Sequence, residues 1–352
     1  MPARPTDACR AGAATGRGPP VWQGCRVNVD GLIVVDKPGG MTSHDVVARI
    51  RRLAKTRRVG HGGTLDPMAT GVLVIGVNRA TRLLTYVIGS TKTYAATIRL
   101  GESTVTDDAE GAVTARVPAT AVTDEAVRAG LTALTGEIEQ VPSAVSAVKI
   151  DGVRAYKRVR EGEQVELPAR RVTVSRLEVL AIRRPAVARS AVEAVPAAAA
   201  VAGAVMNPAA VADTGAVADA VIDVDVDVTC SSGTYIRAIA RDLGTALGVG
   251  GHLTALRRTA VGGLTLAEAS TLAELEERAP DVVGLPLAEA ARRTFPQRTA
   301  TADEARVLSH GGPLAPVGIA GPYAVFDAAG EVLAVVSERD GRARAELVLA
   351  PA

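Results

Sequence analysis

One glycine-rich stretch, residues 60–73, constrains the fold more than any other part of the sequence. It reads GHGGTLDPMATGVL, so a single carboxylate, Asp66, precedes a proline in a loop with several glycines. Proline fixes its own φ and disfavours a helical conformation of the residue before it, whereas glycine lets a backbone turn tightly or approach a ligand closely. The apolar run from Val72 to Val77 is typical of a buried strand. Asp66 is therefore predicted to lie on a stiffened loop before this strand, although an isolated Asp-Pro pair is more often an ordinary turn.

The segment before this loop is strongly basic. A short apolar strand at residues 32–35 ends in the turn sequence DKPGG, and Thr42 then begins a capping-box pattern that predicts an amphipathic helix. Residues 31–100 contain 11 Lys or Arg against three Asp or Glu, although the net charge of the whole chain is only +2. The local excess indicates a polyanionic partner, with a solvated helix face as the alternative. The basic residues that lead from the helix to the loop are Arg49, Arg51, Arg52, Lys55, Arg57 and Arg58.

Two further strands are predicted from alternating sequences. Residues 92–100 place Tyr94 on an apolar face, and aromatic residues are only 2% of this chain. Residues 221–228 alternate Val or Ile with Asp223, Asp225 and Asp227, which could share a face and bind a metal. A solvated sheet edge is the preferred interpretation, because the spacing of a calcium-binding loop is missing.

Composition divides the chain into segments. Residues 1–30 are predicted to be a disordered tail, and residues 182–220 are a low-complexity Ala/Val stretch interpreted as a flexible insertion. Residues 265–278 are predicted to form a single helix. Residues 295–352 predict a small β module with a hairpin turn at residues 327–330.

Cysteine usage and hydropathy indicate the compartment. Cys9, Cys25 and Cys230 lack the spacing of a metal site and are interpreted as reduced thiols. Neither a signal peptide nor an uninterrupted run of membrane-spanning length is found in the sequence. We therefore expect a cytoplasmic protein that does not enter a membrane.

Four motifs resemble those of the bacterial tRNA pseudouridine-55 synthases of the TruB type. They are residues 36–43 (DKPGGMTS), 60–73, 92–94 (KTY) and 230–237 (CSSGTYIR). The family pattern GHxGxLDPxAxGxL is complete in residues 60–73, which makes it far more specific than a lone glycine motif. The motifs occur in the family's order between residues 31 and 260, with the Ala/Val insertion as the main departure.

The resemblance implies roles for individual residues. Asp66 would be the essential catalytic carboxylate, paired with Arg237, while Tyr94 would stack on the target base and is a candidate to take the C5 proton. Tyr235 would be a packing or hydrogen-bonding partner in the site, and His61 would lie beside the RNA where the base is flipped out. The residues expected to contact the RNA backbone are Lys37, Arg49, Arg52, Arg57, Arg58 and Lys149.

The resemblance also implies a fold and a reaction. The fold would be α+β, with a mixed, largely antiparallel central sheet in a catalytic domain at residues 31–280 and a PUA-like RNA-binding module at residues 295–352. Isomerisation of uridine exchanges no electrons and consumes no water, so no redox cofactor or metal is expected. Residues 137–172 match the segment that closes on the T-arm of tRNA, and a monomer without an obligatory protein partner is expected.

Three alternatives remain open from the sequence. A guide-dependent rRNA pseudouridine synthase shares the Asp motif, and an RNA chaperone would leave Asp66 incidental. A glycoside hydrolase is disfavoured, because no second carboxylate near Asp66 in the sequence offers the usual acid/base pair. Whether Asp66 attacks C1′ or removes a 2′ proton is also left open.

Overall fold

The structure, a computed structural model, describes residues 30–143, 149–150, 153–154, 167–184 and 220–350. The predicted tail before residue 30 and most of the predicted insertion at 182–220 lie outside the described residues. For residues 149–150 and 153–154 the structure describes the backbone alone.

Strands and helices alternate irregularly along the described chain. The strands are β1 (Gly31–Lys37), β2 (Val59–His61), β3 (Thr70–Val77), β4 (Lys92–Leu100), β5 (Glu102–Thr104), β6 (Val113–Arg116), β7 (Gly136–Gln140), β8 (Lys149–Ile150), β9 (Val153–Arg154), β10 (Arg170–Arg183), β11 (Ile222–Cys230), β12 (Gly251–Val261), β13 (Leu264–Thr265), β14 (Leu285–Pro286), β15 (Gln297–Thr299), β16 (Tyr323–Phe326), β17 (Val332–Arg339) and β18 (Arg342–Val348). The α-helices are α1 (Ser43–Leu53), α2 (Leu84–Gly89), α3 (Asp124–Ala133), α4 (Ile236–Ala246), α5 (Leu272–Arg278), α6 (Leu287–Thr294) and α7 (Ala302–Ser309). Two 3₁₀ turns occupy Asn78–Leu83 and Leu266–Glu268.

A ten-stranded sheet forms the centre of the molecule. Its strand order is β14-β1-β3-β12-β4-β11-β10-β7, with β2 paired to β3 and β13 paired to β12. β3 and β12 run parallel, pairing Thr70 with Arg257 and Gly71 with Arg258, whereas the other described pairings in this sheet are antiparallel. The predicted mixed, largely antiparallel sheet is confirmed.

The sheet buries one face against helices. The alternation predicted for β4 is confirmed, since Tyr94, Ala96, Ile98 and Leu100 are all buried. The large apolar cluster on this face also includes residues of α1, α3 and α4. Burial of Val, Leu and Ile side chains stabilises the sheet by roughly 1.5–3 kcal/mol each.

The opposite face of the same strands is a ladder of ion pairs. β11 lies between β4 and β10, so the expectation of an edge strand was wrong. Its three aspartates are partly exposed, and each pairs with an arginine of a neighbouring strand, so the carboxylates serve cross-strand pairing. The pairs are Arg99–Asp223, Arg183–Asp225 and Arg176–Asp227.

The predicted Ala/Val insertion connects two adjacent antiparallel strands. β10 ends at Arg183 and β11 begins at Ile222, with Arg183 opposite Asp223. Tyr94 lies opposite Val228, toward the other end of β11. The insertion therefore leaves the sheet at the end remote from Tyr94.

The single helix expected over residues 265–278 is instead two short elements. Thr265 and Thr271 each form a capping box, so each begins a separate helical turn. Between them, the Ser270 backbone pairs with β1: its N–H donates to Val34 O (2.9 Å), and its carbonyl accepts from Asp36 N–H (3.0 Å). A backbone that pairs with a strand cannot continue the helical hydrogen-bond ladder.

A second, four-stranded sheet in the order β15-β16-β17-β18 confirms the predicted C-terminal β module. An apolar cluster joins it to the central sheet, with Phe295 and Phe326 packed beside Leu32 and Val74. Residues 295–350 therefore share a core with the main sheet.

Candidate active site

A pocket of about 270 Å³ opens where the glycine-rich loop, β4, β12 and the start of α4 meet. Asp66, Tyr94, Tyr235 and Arg237 all line it, although they come from three separate motifs. The structure thus brings together four of the residues that the sequence analysis selected.

Asp66 and Arg237 form an ion pair in this pocket. Arg237 Nε lies 3.1 Å from Asp66 Oδ2, and the side chains are 8% and 37% exposed, respectively. The arginine is buried while the carboxylate keeps a surface that a ligand can reach. A guanidinium holds a carboxylate with a defined geometry, so the reactive group has a fixed orientation.

A second carboxylate lies behind Arg237. Asp108 Oδ2 is 3.5 Å from Arg237 Nη1, which also donates to Thr106 O (2.8 Å). Asp108 is buried and is not among the residues that line the pocket. Sequence reasoning did not select Asp108, because nothing in the local spacing of residues 104–111 predicts that this segment folds back onto α4.

The turn before α4 is positioned by an amide side chain. The Tyr235 N–H donates to Gln140 Oε1 (3.0 Å), and Gln140 Nε2 donates to Tyr235 O (3.3 Å). Gln140 is buried at the end of β7, so the two bonds fix the N-terminus of the helix. Arg237 is thereby presented in the first turn of α4.

The motif at residues 36–43 acts as a clamp on the Asp66 loop. Ser43 Oγ accepts from Leu65 N–H (2.9 Å) and donates to Leu65 O (3.0 Å). Lys37 Nζ donates to Pro67 O (3.1 Å), and also to two carbonyls of its own turn. The residues on both sides of Asp66 are therefore held by buried side chains.

The predicted contact of Lys37 with RNA phosphate is contradicted by this geometry. The side chain is fully buried, and an ammonium has three donors, all of which are used by backbone carbonyls. Lys37 supports the loop from inside the protein.

Arg258 lines the pocket and was also missed by sequence reasoning. It is 1% exposed, and its guanidinium donates to Val72 O (2.7 Å), Gly63 O (3.1 Å) and Thr64 O (3.3 Å). It thus ties the Asp66 loop to β12. The sequence signal for Arg258 was an arginine within a largely apolar strand. A cation is rarely buried in such a strand unless its charge is paired or used.

Two glycines of the loop serve backbone packing, whereas the sequence analysis associated them with ligand approach. Gly71 has φ +96°, and a Cβ there would lie 2.2 Å from Arg258 O. A Cβ on Gly62 would lie 2.8 Å from Val87 Cγ1 on α2. Both positions exclude any larger residue because neighbouring atoms occupy the space.

Burial shifts the ionisation of two side chains on β4. Tyr94 is 7% exposed, and burial raises its pKa, while the Arg258 guanidinium that hydrogen-bonds the phenol acts in the opposite direction. Burial, with a smaller contribution from Arg258, lowers the pKa of Lys92 to about 8. Lys92 lies two residues before Tyr94 and lines the same pocket.

His61 lies at the end of β2, two residues before Gly63 of the pocket. It is half-buried, and its ring packs edge-on against His44 with centroids 5.4 Å apart. Burial, followed by the nearby His44, lowers the pKa of His61, which favours the neutral imidazole.

The basic residues have different surroundings. Arg49 forms an ion pair with Glu276 of α5. Arg52, Arg57 and Arg58 are exposed, and the latter two line a second concavity together with Arg79. The backbone of Lys149 belongs to the ribbon β8–β9, whose side chains lie outside the described part of the structure.

Two surveys bear on the class of site. Among the described residues, no group of three or more His, Cys, Asp or Glu side chains could hold a metal ion. No helix in the described ranges has the length and apolar character needed to cross a bilayer.

Family models match three parts of the sequence. Residues 51–195 match the N-terminal domain of the TruB family pseudouridylate synthases, and residues 237–281 match the tRNA pseudouridylate synthase B C-terminal domain. Residues 295–350 match the C-terminal domain of tRNA pseudouridine synthase II.

Curated relatives match over nearly the whole chain. A protein of Arthrobacter sp. named tRNA pseudouridine synthase B is 52% identical over 92% of this chain and 97% of its own length. Proteins of the same name from Thermobifida fusca and Mycobacterium ulcerans are 53% and 50% identical, covering 91% and 92% of this chain and 99% and 95% of their own lengths.

Solved structures share the fold at lower identity. A chain in an H/ACA RNP bound to a substrate RNA containing 2′-deoxyuridine superposes with a TM-score of 0.62 at 22% identity, covering 93% of this chain and 86% of that one. A chain of a Cbf5-Nop10-Gar1 complex gives 0.62 at 24% identity, covering 91% and 85%.

Proposed function

This chain belongs to the TruB family of pseudouridylate synthases, and on that basis we propose that it isomerises uridine to pseudouridine at position 55, in the T-loop of tRNA. The observation that carries the proposal is the Asp66–Arg237 ion pair, in a pocket also lined by Tyr94. The name shared by the relatives supports tRNA as the substrate.

Asp66 is the catalytic carboxylate of this proposal. Isomerisation breaks the bond between uracil N1 and ribose C1′, turns the base, and joins C5 to C1′. A carboxylate can attack or stabilise an electron-poor sugar carbon, as glycosidases do. Asp66 is accessible and oriented by Arg237, so it can act on C1′ or on the 2′ proton.

Tyr94 stacks on the base in this reaction, and Tyr235 is a packing or hydrogen-bonding partner in the site. Both line the pocket that contains Asp66, and an aromatic ring offers a face on which a base stacks. Tyr94 remains the candidate to take the C5 proton, with Arg258 as the cation that opposes the effect of burial on its pKa.

The target base has to leave the loop of the RNA to reach this pocket. The glycosidic carbon of a stacked nucleotide is shielded, so we propose that the uridine flips out and that His61 fills the space beside it. The exposed Arg52, Arg57 and Arg58 would contact phosphates, which makes affinity salt-dependent.

The domain assignment follows the same proposal. Residues 31–280 would be the catalytic domain, and the sheet of residues 297–348 would be the RNA-binding module. The predicted cytoplasmic location and monomeric state stay predictions.

A direct test is to map pseudouridine in an unmodified tRNA transcript after incubation with the purified chain alone. We expect one new pseudouridine, in the T-loop, and none when cytidine replaces the target uridine. Conversion only in the presence of a guide RNA and partner proteins would favour the guide-dependent alternative. Absence of pseudouridine throughout the RNA, with tRNA still bound, would favour the chaperone.

A further inference from the structure

The wall of the pocket beside Tyr94 contains two buried cations. Lys92 is 7% exposed and Arg258 is 1% exposed, and both line the pocket. A Cβ on Gly63 would lie 3.7 Å from Lys92 Cε and 3.8 Å from Arg258 Nη1, so the two side chains meet at one point of the loop.

These cations lack acidic partners among the described residues. Lys92 Nζ donates to Ile88 O and Ser90 O, both at 2.8 Å, at the C-terminus of α2. Arg258 donates to three backbone carbonyls and contacts the Tyr94 phenol. Arg237 is different, because two carboxylates offset its charge.

Uncompensated buried charge is costly, so its retention indicates a use. The groups that face Lys92 are Arg258 on β12, the Cys230 thiol opposite it on β11, and Tyr94 on its own strand. None of them is a carboxylate, and Asp66, which lines the same pocket, is paired with Arg237. The pocket wall is therefore built to receive negative charge from a ligand.

We propose that Lys92 and Arg258 stabilise the uracil anion that forms when the bond between N1 and C1′ breaks. The inference rests on the proposed function and adds two residues to it. When the bond breaks, its electron pair stays on N1 and the charge spreads to O2 and O4 of the base. C5 then bonds to C1′, the C5 proton leaves, and N1 gains a proton, so the product has the same atoms as the substrate.

A cation prepositioned where charge develops lowers the barrier, because it needs no reorganisation during the reaction. Lys92 must be protonated for this role. Its pKa of about 8 means that it carries its charge at pH 7 and loses it as the pH rises through 8. If Lys92 instead acted as a base through its neutral amine, the reaction rate would rise with pH as the amine loses its proton.

The test compares the wild type with Lys92→Met and Lys92→Arg in single-turnover assays on tRNA, at whichever uridine reacts. We expect Lys92→Met to lower the rate on the order of 10²-fold, the size of losing one prepositioned donor. Its tRNA affinity should stay within about twofold of the wild type, and Lys92→Arg should restore most of the rate. Arg128→Met, which removes an exposed cation of α3 outside the pocket and the basic stretch, controls for general loss of charge.

A second substrate tests whether Lys92 acts on the uracil anion itself. Fluorine at C5 withdraws electrons and stabilises the uracil anion, so 5-fluorouridine at the target position needs less help in bond cleavage. With 5-fluorouridine, the rate loss caused by Lys92→Met should be about tenfold smaller than with uridine. The measured step is cleavage of the bond between N1 and C1′. A loss of the same size with both substrates would overturn the proposal.

The pH profile gives a result even if Lys92→Met does not fold. The wild-type rate should fall above pH 8, and Lys92→Arg should keep its rate to higher pH. A rate that rises through pH 8, or full activity in Lys92→Met, would overturn the proposal. Reaction at a uridine outside the T-loop would contradict only the proposed substrate position.

Discussion

The two faces of the central sheet carry charge in opposite ways. On the outer face, partly exposed aspartates of β11 each pair with an arginine. On the helix-covered face, Lys92, Arg237 and Arg258 are each less than a tenth exposed. β4 thus contributes to both sides, with Arg99 in the solvated ladder and Lys92 in the buried cationic pocket.

The difference shows which charges point to function. An exposed ion pair contributes about 0–1 kcal/mol, so the ladder can be retained for solubility and register alone. A buried charge costs several kcal/mol unless a partner offsets it, so the charges of Lys92 and Arg258 need another reason. Burial distinguishes the two sets, since arginine side chains occur in both.

Among the residues that support Asp66, the largest effect that separates the two faces should come from Arg237. Arg237→Gln removes the partner of Asp66 and leaves Asp108 buried beside a neutral amide. We expect the rate of pseudouridine formation to fall by about 10²–10³-fold, and stability by about 3 kcal/mol. Single-turnover kinetics and urea unfolding measure the two losses. Rates within a few-fold of wild type would remove Arg237 from the site.

Gly71→Ala tests whether the loop depends on close packing against β12. The new Cβ would meet Arg258 O at 2.2 Å, at a φ of +96° that disfavours side chains. We expect a loss of about 2–4 kcal/mol in the free energy of unfolding. Gly40→Ala is the matched control, since its φ is +78° but no atom lies within 4 Å of the added Cβ. Equal losses in both variants would show that the φ angle alone matters.

The sequence predicted the main residues that line this site but only some of the residues that position them. Asp66, Tyr94 and Arg237 were found because each lies in a recognisable motif, and the alternation in β4 was enough to place Tyr94 inward. Lys37 was assigned to RNA because local pattern does not distinguish a surface lysine from one that clamps three carbonyls. Asp108 was missed because its contact with Arg237 spans more than a hundred residues.

Ser43→Ala should have an intermediate effect. It removes both hydrogen bonds that hold the Leu65 backbone and leaves a buried N–H and carbonyl without that partner. We expect destabilisation of about 1–3 kcal/mol and a slower reaction at unchanged tRNA affinity. Thermal unfolding and a titration of tRNA binding provide the measurements. A variant as stable and as fast as wild type would contradict the clamp.

The smallest effect should come from the outer face. Arg99→Gln breaks the pair with Asp223, in which both side chains are partly exposed. We expect a change in stability below about 1 kcal/mol and no change in rate, since the pair lies outside the pocket. A tenfold loss of activity in this variant would mean that the two faces are not functionally separate.

One matched pair of variants tests the central claim most directly. Asp66→Asn and Asp225→Asn make the same chemical change, one in the pocket and one on the ladder. For Asp66→Asn we predict loss of pseudouridine formation by more than about 10⁴-fold, with tRNA affinity retained, because the reacting group is lost. Asp225→Asn should convert tRNA at the wild-type rate. Substantial pseudouridine formation by Asp66→Asn would contradict the assignment of Asp66 as the catalytic carboxylate.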